Sequence, residues 1–86
     1  MGKRVVVHGR VQGVFFRDSV SREAQARGLD GWVRNRDDGT VEALFAGAGE
    51  DVDALVDYCR SGPPDAKVSS VDVSEDDEHP DGFSVR

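Results

Sequence analysis

One stretch of the chain combines residue types suited to holding an anion: Gly9-Arg10-Val11-Gln12-Gly13-Val14-Phe15-Phe16-Arg17. Two glycines let a backbone turn sharply and expose successive N–H groups. Where such a stretch feeds a helix, the free amides of the first turn and the helix dipole point the same way and attract a phosphate or carboxylate. Arg17 would stand at that mouth, with a planar guanidinium able to grip two phosphoryl oxygens. The same residues also suit an ordinary strand-to-helix connection carrying a surface arginine.

Several phosphate chemistries are excluded by what surrounds these glycines. A Walker loop needs Gly-Lys-Ser/Thr, and Gly13 is followed by Val14; the dinucleotide fingerprint G-x-G-x-x-G is absent. A Cys-x5-Arg phosphatase loop ending at Arg17 would place its nucleophile at position 11, which is Val11. His8 and His79 are isolated and Asp37-Asp38 suits a turn, so no metal is expected. Cys59 falls on an apolar helical stripe and is expected in the core. An enzyme so equipped would direct water straight at phosphorus, without cofactor or covalent intermediate. Only an activated phosphate, with a leaving group such as a carboxylate of pKa about 4, would yield to it. Asn35 is the candidate for placing that water, because a neutral amide donates and accepts at once. A strand-end residue capping a turn is the alternative for Asn35 on local grounds.

The elements that must position these residues follow from periodicity. Val5-Val6-Val7 predicts a first strand closed by Gly9. The stretch from Asp18 to Arg27 predicts a helix, with Phe16, Val20 and Ala24 on one face and Gly28 at its end. Trp32 to Arg36 predicts a strand, Asp37-Asp38-Gly39-Thr40 a hairpin turn, and Val41 to Phe45 the return. Glu50 and Asp51 open a second helix whose stripe is Val52, Leu55, Val56 and Cys59, and Gly62-Pro63-Pro64 ends it. Val71-Asp72-Val73 predicts a further strand and Phe83-Ser84-Val85 a short last one, with Glu75-Asp76-Asp77-Glu78 between them as a solvated turn. The order β-α-β-β-α-β is the split βαβ arrangement of ferredoxin-like folds. Its right-handed crossover makes the first two strands parallel, so Gly9 onward and Asn35 meet the same edge of the sheet, with the third strand running between them.

Taken together, these residues resemble the acylphosphatase family. The matching motifs are Gly9 to Arg17, Gly28-Leu29-x-Gly31-Trp32-Val33-x-Asn35, Gly39-Thr40-Val41-Glu42, Gly62-Pro63-Pro64-x-Ala66-x-Val68-x-x-Val71, and Gly82-Phe83. The resemblance spans nearly the whole chain and implies one domain over residues 1–86. It implies an α+β ferredoxin-like βαββαβ sandwich, an antiparallel four- to five-stranded sheet with two helices on one face. It implies metal-free hydrolysis of a small-molecule acyl phosphate to carboxylate and phosphate. On this resemblance Arg17 corresponds to the phosphate-binding arginine and Asn35 to the water-orienting asparagine, and the amides of Gln12, Gly13, Val14, Phe15, Phe16 and Arg17 form the phosphate-binding loop. The acidic segment from Glu75 to Asp81 is expected to lie away from both motifs.

Composition bounds the remaining possibilities. Eighty-six residues allow a single small core. No apolar run approaches a membrane span, and the N-terminal apolar run of Val5 to Val7 is too short for a signal peptide. A lone cysteine gives no disulfide, so the cytoplasm is the expected compartment and a monomer the default state. Net charge is −6 but unevenly spread: residues 1–36 hold eight Arg or Lys against three acids, and residues 37–86 hold three against fourteen. An anionic ligand therefore belongs with the first half, and nonspecific nucleic-acid binding is disfavoured. Twelve Asp against five Glu, and nine Arg against two Lys, suggest a salt-adapted cytoplasm. Two other readings are a non-catalytic module that binds the anion and a ferredoxin-like RNA-binding domain. The latter needs aromatics and positive charge on its sheet, where the third strand offers only Phe45 in an acidic half.

Overall fold

The computed structural model describes residues 2–86. Its elements are β1 (Gly2–Arg10), α1 (Phe16–Ala26), β2 (Asp30–Asn35), β3 (Val41–Ala46), α2 (Gly49–Ser61), β4 (Lys67–Glu75) and β5 (Phe83–Val85). Both β1 and β4 reach well past their valine cores, because each pairs along the other from Lys3–Glu75 to Arg10–Lys67, with one register shift between His8 and Gly9. Phe16 opens α1 two residues ahead of the predicted start, since its ring is buried beneath the helix rather than in the loop.

The strand order is β4-β1-β3-β2-β5. β3 lies between β1 and β2 and is antiparallel to both, so those two run parallel and end at the same edge, as the crossover rule requires. The four long strands form an antiparallel sheet, and β5 joins β2 in parallel. β4 runs against β1, hence against β2, and a single reversal after β4 turns the chain to run with β2.

Alternation along the strands divides the sheet into two unlike faces. Val5, Val7, Val33, Val41, Ala43 and Phe45 point to the helical side. There they meet Phe16, Val20 and Ala24 of α1 and Val52, Leu55, Val56 and Cys59 of α2 in one core. Burying side chains of this size stabilises the fold by about 1.5–3 kcal/mol each. Cys59 is fully buried there, and burial pushes its thiol pKa up to about 12, so it is packing material as predicted. The opposite face carries Arg4, Trp32, Arg34, Glu42 and Leu44, of which Trp32, Glu42 and Leu44 are buried outside the main core.

The acidic segment departs from expectation. Asp76 bonds the Arg4 guanidinium at 2.7 Å, and Glu78 accepts a 2.8 Å hydrogen bond from the Trp32 indole N–H. His79 contacts Asp30 at 2.8 Å. It is therefore neither a freely solvated turn nor remote from the second motif. The topology explains why: β4 and β5 occupy opposite edges, so their connection must cross the whole end of the sheet and lies against β1 and β2 on the way.

Candidate active site

The loop between β1 and α1 has the dihedral pattern of a main-chain nest, a cradle-like shape able to hold an anion. Gly13 has φ of +74° and Phe15 φ of +61°, while Gln12, Val14 and Phe16 stay at negative φ. Alternation of sign along consecutive residues curls the main chain so that its N–H groups converge on a concavity. Phe15 is the one described non-glycine residue at positive φ, and 79% of its side chain is exposed. A left-handed conformation costs a non-glycine residue roughly 1–2 kcal/mol. Val11 and Val14, both buried, clamp the loop on either side and hold it there.

No main-chain amide from Gln12 to Asp18 donates to an acceptor among the described residues. No side chain caps the start of α1 either. Seven donors and the positive end of the helix dipole are thus left without an acceptor among the described residues. Arg17 pairs with no acidic side chain among the described residues, and its Nη1 donates to an oxygen of Arg86 at 2.8 Å. That bond steers the guanidinium toward β5 and the cradle while leaving its other N–H groups available.

Asn35 ends β2 on the face of Val33, opposite Val41 of β3, where the core gives way to solvent. It lines a depression of about 300 Å³ together with Gly13, Phe15, Phe16 and Arg17. Five of the seven residues singled out from sequence therefore meet at one place. The other two, Gln12 and Val14, do not line it. Val14 turns into the core. The Gln12 side chain is engaged elsewhere, its Nε2 donating to the carbonyls of Arg36 at 2.7 Å and Thr40 at 2.9 Å. It ties the cradle to the β2–β3 hairpin, fixing the loop relative to Asn35. An amide between two buried valines was the available clue to that role. His8 and His79 are engaged with Asp72 and Asp30 on other parts of the surface.

Sequence and structural relatives share this arrangement of elements. The family model described as Acylphosphatase matches residues 3–85. The chain belongs to the acylphosphatase family. It is 52% identical over 95% of its length to an acylphosphatase of Natronomonas pharaonis, covering 90% of that protein. It is 54% identical over 93% of its length to one of Thiobacillus denitrificans, again covering 90% of it. A solved acylphosphatase from Coxiella burnetii superposes with a TM-score of 0.94 at 41% identity, over 99% of this chain and 90% of that one. Sequence and architecture thus agree on the family.

The site contains one further acid, Asp18, which lines the same depression and pairs with Arg22 at 2.9 Å. Its charge is answered on the helix itself, so it does not oppose an anion in the cradle unaided. Phe15 and the half-exposed Val85 supply apolar walls.

Proposed function

We propose that the chain hydrolyses acyl phosphates to a carboxylate and inorganic phosphate, with residues 1–86 acting as one catalytic domain. The phosphoryl group sits in the β1–α1 cradle. Its oxygens accept from the loop amides between Gln12 and Arg17 and from the Arg17 guanidinium, which hold charge as it redistributes in transfer. Asn35 orients a water in line with phosphorus. The water oxygen forms a bond to phosphorus, the bond from phosphorus to the acyl oxygen breaks, and the carboxylate departs with the bonding pair. The water's proton passes to a phosphoryl oxygen, since the one carboxylate lining the depression, Asp18, is paired with Arg22. A carboxylate leaving group of pKa about 4 needs no proton of its own at neutral pH.

A single observation supports this reading: Gly13, Phe15, Phe16, Arg17 and Asp18, five residues whose amides have no acceptor among the described residues, line one depression with Asn35, and the Arg17 guanidinium pairs with no acidic side chain there. Family membership favours the same chemistry. Among the described residues no helix is long and apolar enough to cross a membrane, and a cytoplasmic monomer is the state we infer.

Turnover of benzoyl phosphate with EDTA present, beside p-nitrophenyl phosphate as a poor-leaving-group control, tests the activity. Arg17→Ala should lower kcat/KM by about 10³-fold or more, the scale of a phosphoryl-binding arginine. Asn35→Ala should lower kcat about 10²-fold while inhibition by inorganic phosphate shifts only a few-fold. Wild-type rates in both variants would overturn the assignment.

A further inference from the structure

Three large hydrophobic side chains are exposed among the described residues: Phe15, Val73 and Val85. Phe15 is the most exposed of them, and it is also the one held at positive φ. A ring so placed adds nothing to the core, and glycine would take the same backbone conformation without strain. Unburied aromatic surface and strained main chain thus coincide at one residue of the cradle. Strain of this kind points to a use for the side chain outside the packing of the fold.

The ring stands between two hollows. It lines the cradle depression with Arg17 and Asn35, and it also lines a groove of about 520 Å³ between the start of α1 and the turn from α2 to β4. Pro63 and Pro64 form the apolar wall across that groove, and Asp18 is shared with the cradle. Asn35 is absent from the groove, whereas it lines both the depression over the open sheet face and the one along the β2–β3 hairpin. In-line transfer puts the attacking water and the departing oxygen on opposite sides of phosphorus. With the water at Asn35, the acyl group leaves toward the side that Asn35 does not line, which is the side of Phe15 and the two prolines. The charge there is the reverse of the cradle's. Asp18, Glu23 and Asp65 stand around the groove against Arg22 alone, a rim that repels a second anion and admits an uncharged group.

We infer that Phe15 determines acyl-group specificity: its ring, with Pro63 and Pro64, forms a subsite that selects uncharged aromatic acyl groups. The inference rests on the phosphoryl and water placement proposed above. It gives the strained residue of the cradle two separate parts, its main chain serving the phosphoryl end of the substrate and its side chain the other end.

The test reads kcat/KM for benzoyl phosphate over that for acetyl phosphate in the wild type, Phe15→Gly and Phe15→Asn. Taking the ratio within each protein cancels any loss of folded material or of loop order, and both replacements tolerate positive φ. The ratio should fall by about three- to ten-fold in each variant, the scale of one aromatic contact. Phe15→Gly should also melt no lower than the wild type, since strain is relieved and no core contact is lost. At low salt 4-carboxybenzoyl phosphate should be a poorer substrate than benzoyl phosphate by about three-fold, with the gap closing in about 1 M KCl, where the Debye length falls to about 3 Å. A ratio unchanged in either variant would overturn the inference while leaving the cradle intact. A melting temperature lower by about 4 °C or more in Phe15→Gly would give the ring to the fold and overturn it as well. Equal or better turnover of the carboxylated substrate would seat the acyl group away from the acidic rim, with the same consequence. Hydrolysis of benzoyl and acetyl phosphate that survives Arg17→Ala would strike the phosphoryl placement first, and the subsite with it.

Discussion

Arginine serves two purposes in this small sheet, and the neighbours of each guanidinium decide which. Arg34 is fixed by a buried carboxylate, and Arg4 by Glu42 and Asp76 together. Arg17 is steered by an oxygen of Arg86 and pairs with no acidic side chain among the described residues. Gln12 supports it indirectly. Its amide hydrogens satisfy two hairpin carbonyls at once, so Gln12→Ala should destabilise the protein by about 1–2 kcal/mol in urea unfolding. Gln12→Glu should cost more than alanine, because a carboxylate has no hydrogen to offer two carbonyl oxygens. Both variants should also raise KM for benzoyl phosphate, since the loop loses its tie to the hairpin that carries Asn35. Glutamate proving milder than alanine would show that the bonds to Arg36 and Thr40 are not what holds the loop.

At the scale of elements, β2 passes β3 at Gly31 with no room for a side chain. Its φ is +141°, and a Cβ there would overlap the Leu44 carbonyl oxygen. Gly31→Ala should therefore cost at least about 2 kcal/mol, combining backbone strain with a clash against an immovable main chain. Retention of wild-type stability in that variant would mean that the strands can part without penalty. The strap between β4 and β5 makes a different prediction. Asp30 has its pKa lowered by a hydrogen bond to His79 and another from the Gly82 amide. A depressed carboxyl pKa contributes stability that is present above the unfolded value, about 3.9, and lost as pH falls through the lower folded value. Asp30→Asn should melt below the wild type at about pH 5, and the gap should close by about pH 2.5. A gap of equal size at both pH values would assign the effect to shape rather than charge. These elements also show what the sequence discloses. The stripe from Val52 to Cys59, the Asp-Gly turn and the valines of β1 are local patterns, and each became the element predicted. The crossover rule brings the strand ends next to Arg17 and Asn35 to one edge, while the roles expected of the two side chains came from the family resemblance. Arg34 facing Glu42 follows from hairpin register, each four residues from Asp38, yet its partnership with Arg86 and Trp32 does not. That depends on where β5 docks, and no periodicity in residues 76–86 encodes the far edge of a sheet.

For the molecule as a whole, the charges left without partners govern how it answers to salt. Eight of its seventeen carboxylates, among them Glu75, Asp77 and Asp81, have no cationic partner among the described residues, against four Arg or Lys without an acidic one. They are confined to a fold with a radius of gyration of 11.3 Å, comparable to the Debye length of about 10 Å at 0.1 M salt. Their mutual repulsion therefore acts across the entire molecule at low ionic strength and is largely removed at 1 M, where that length is about 3 Å. The ion pairs that do form are mostly exposed, and each is worth about 0–1 kcal/mol before screening, so their loss weighs less than the repulsion relieved. Raising KCl from about 0.05 to 1 M should lift the melting temperature by about 4–8 °C, the equivalent of about 1 kcal/mol in a chain of this size. Screening predicts that most of the rise comes below about 0.3 M and is the same for chloride and bromide. A rise that stays linear with concentration and differs between the two anions would instead reflect exclusion of salt from apolar surface. A melting temperature that falls with KCl would place the ion pairs, rather than the unpaired acids, in control of this protein's electrostatics.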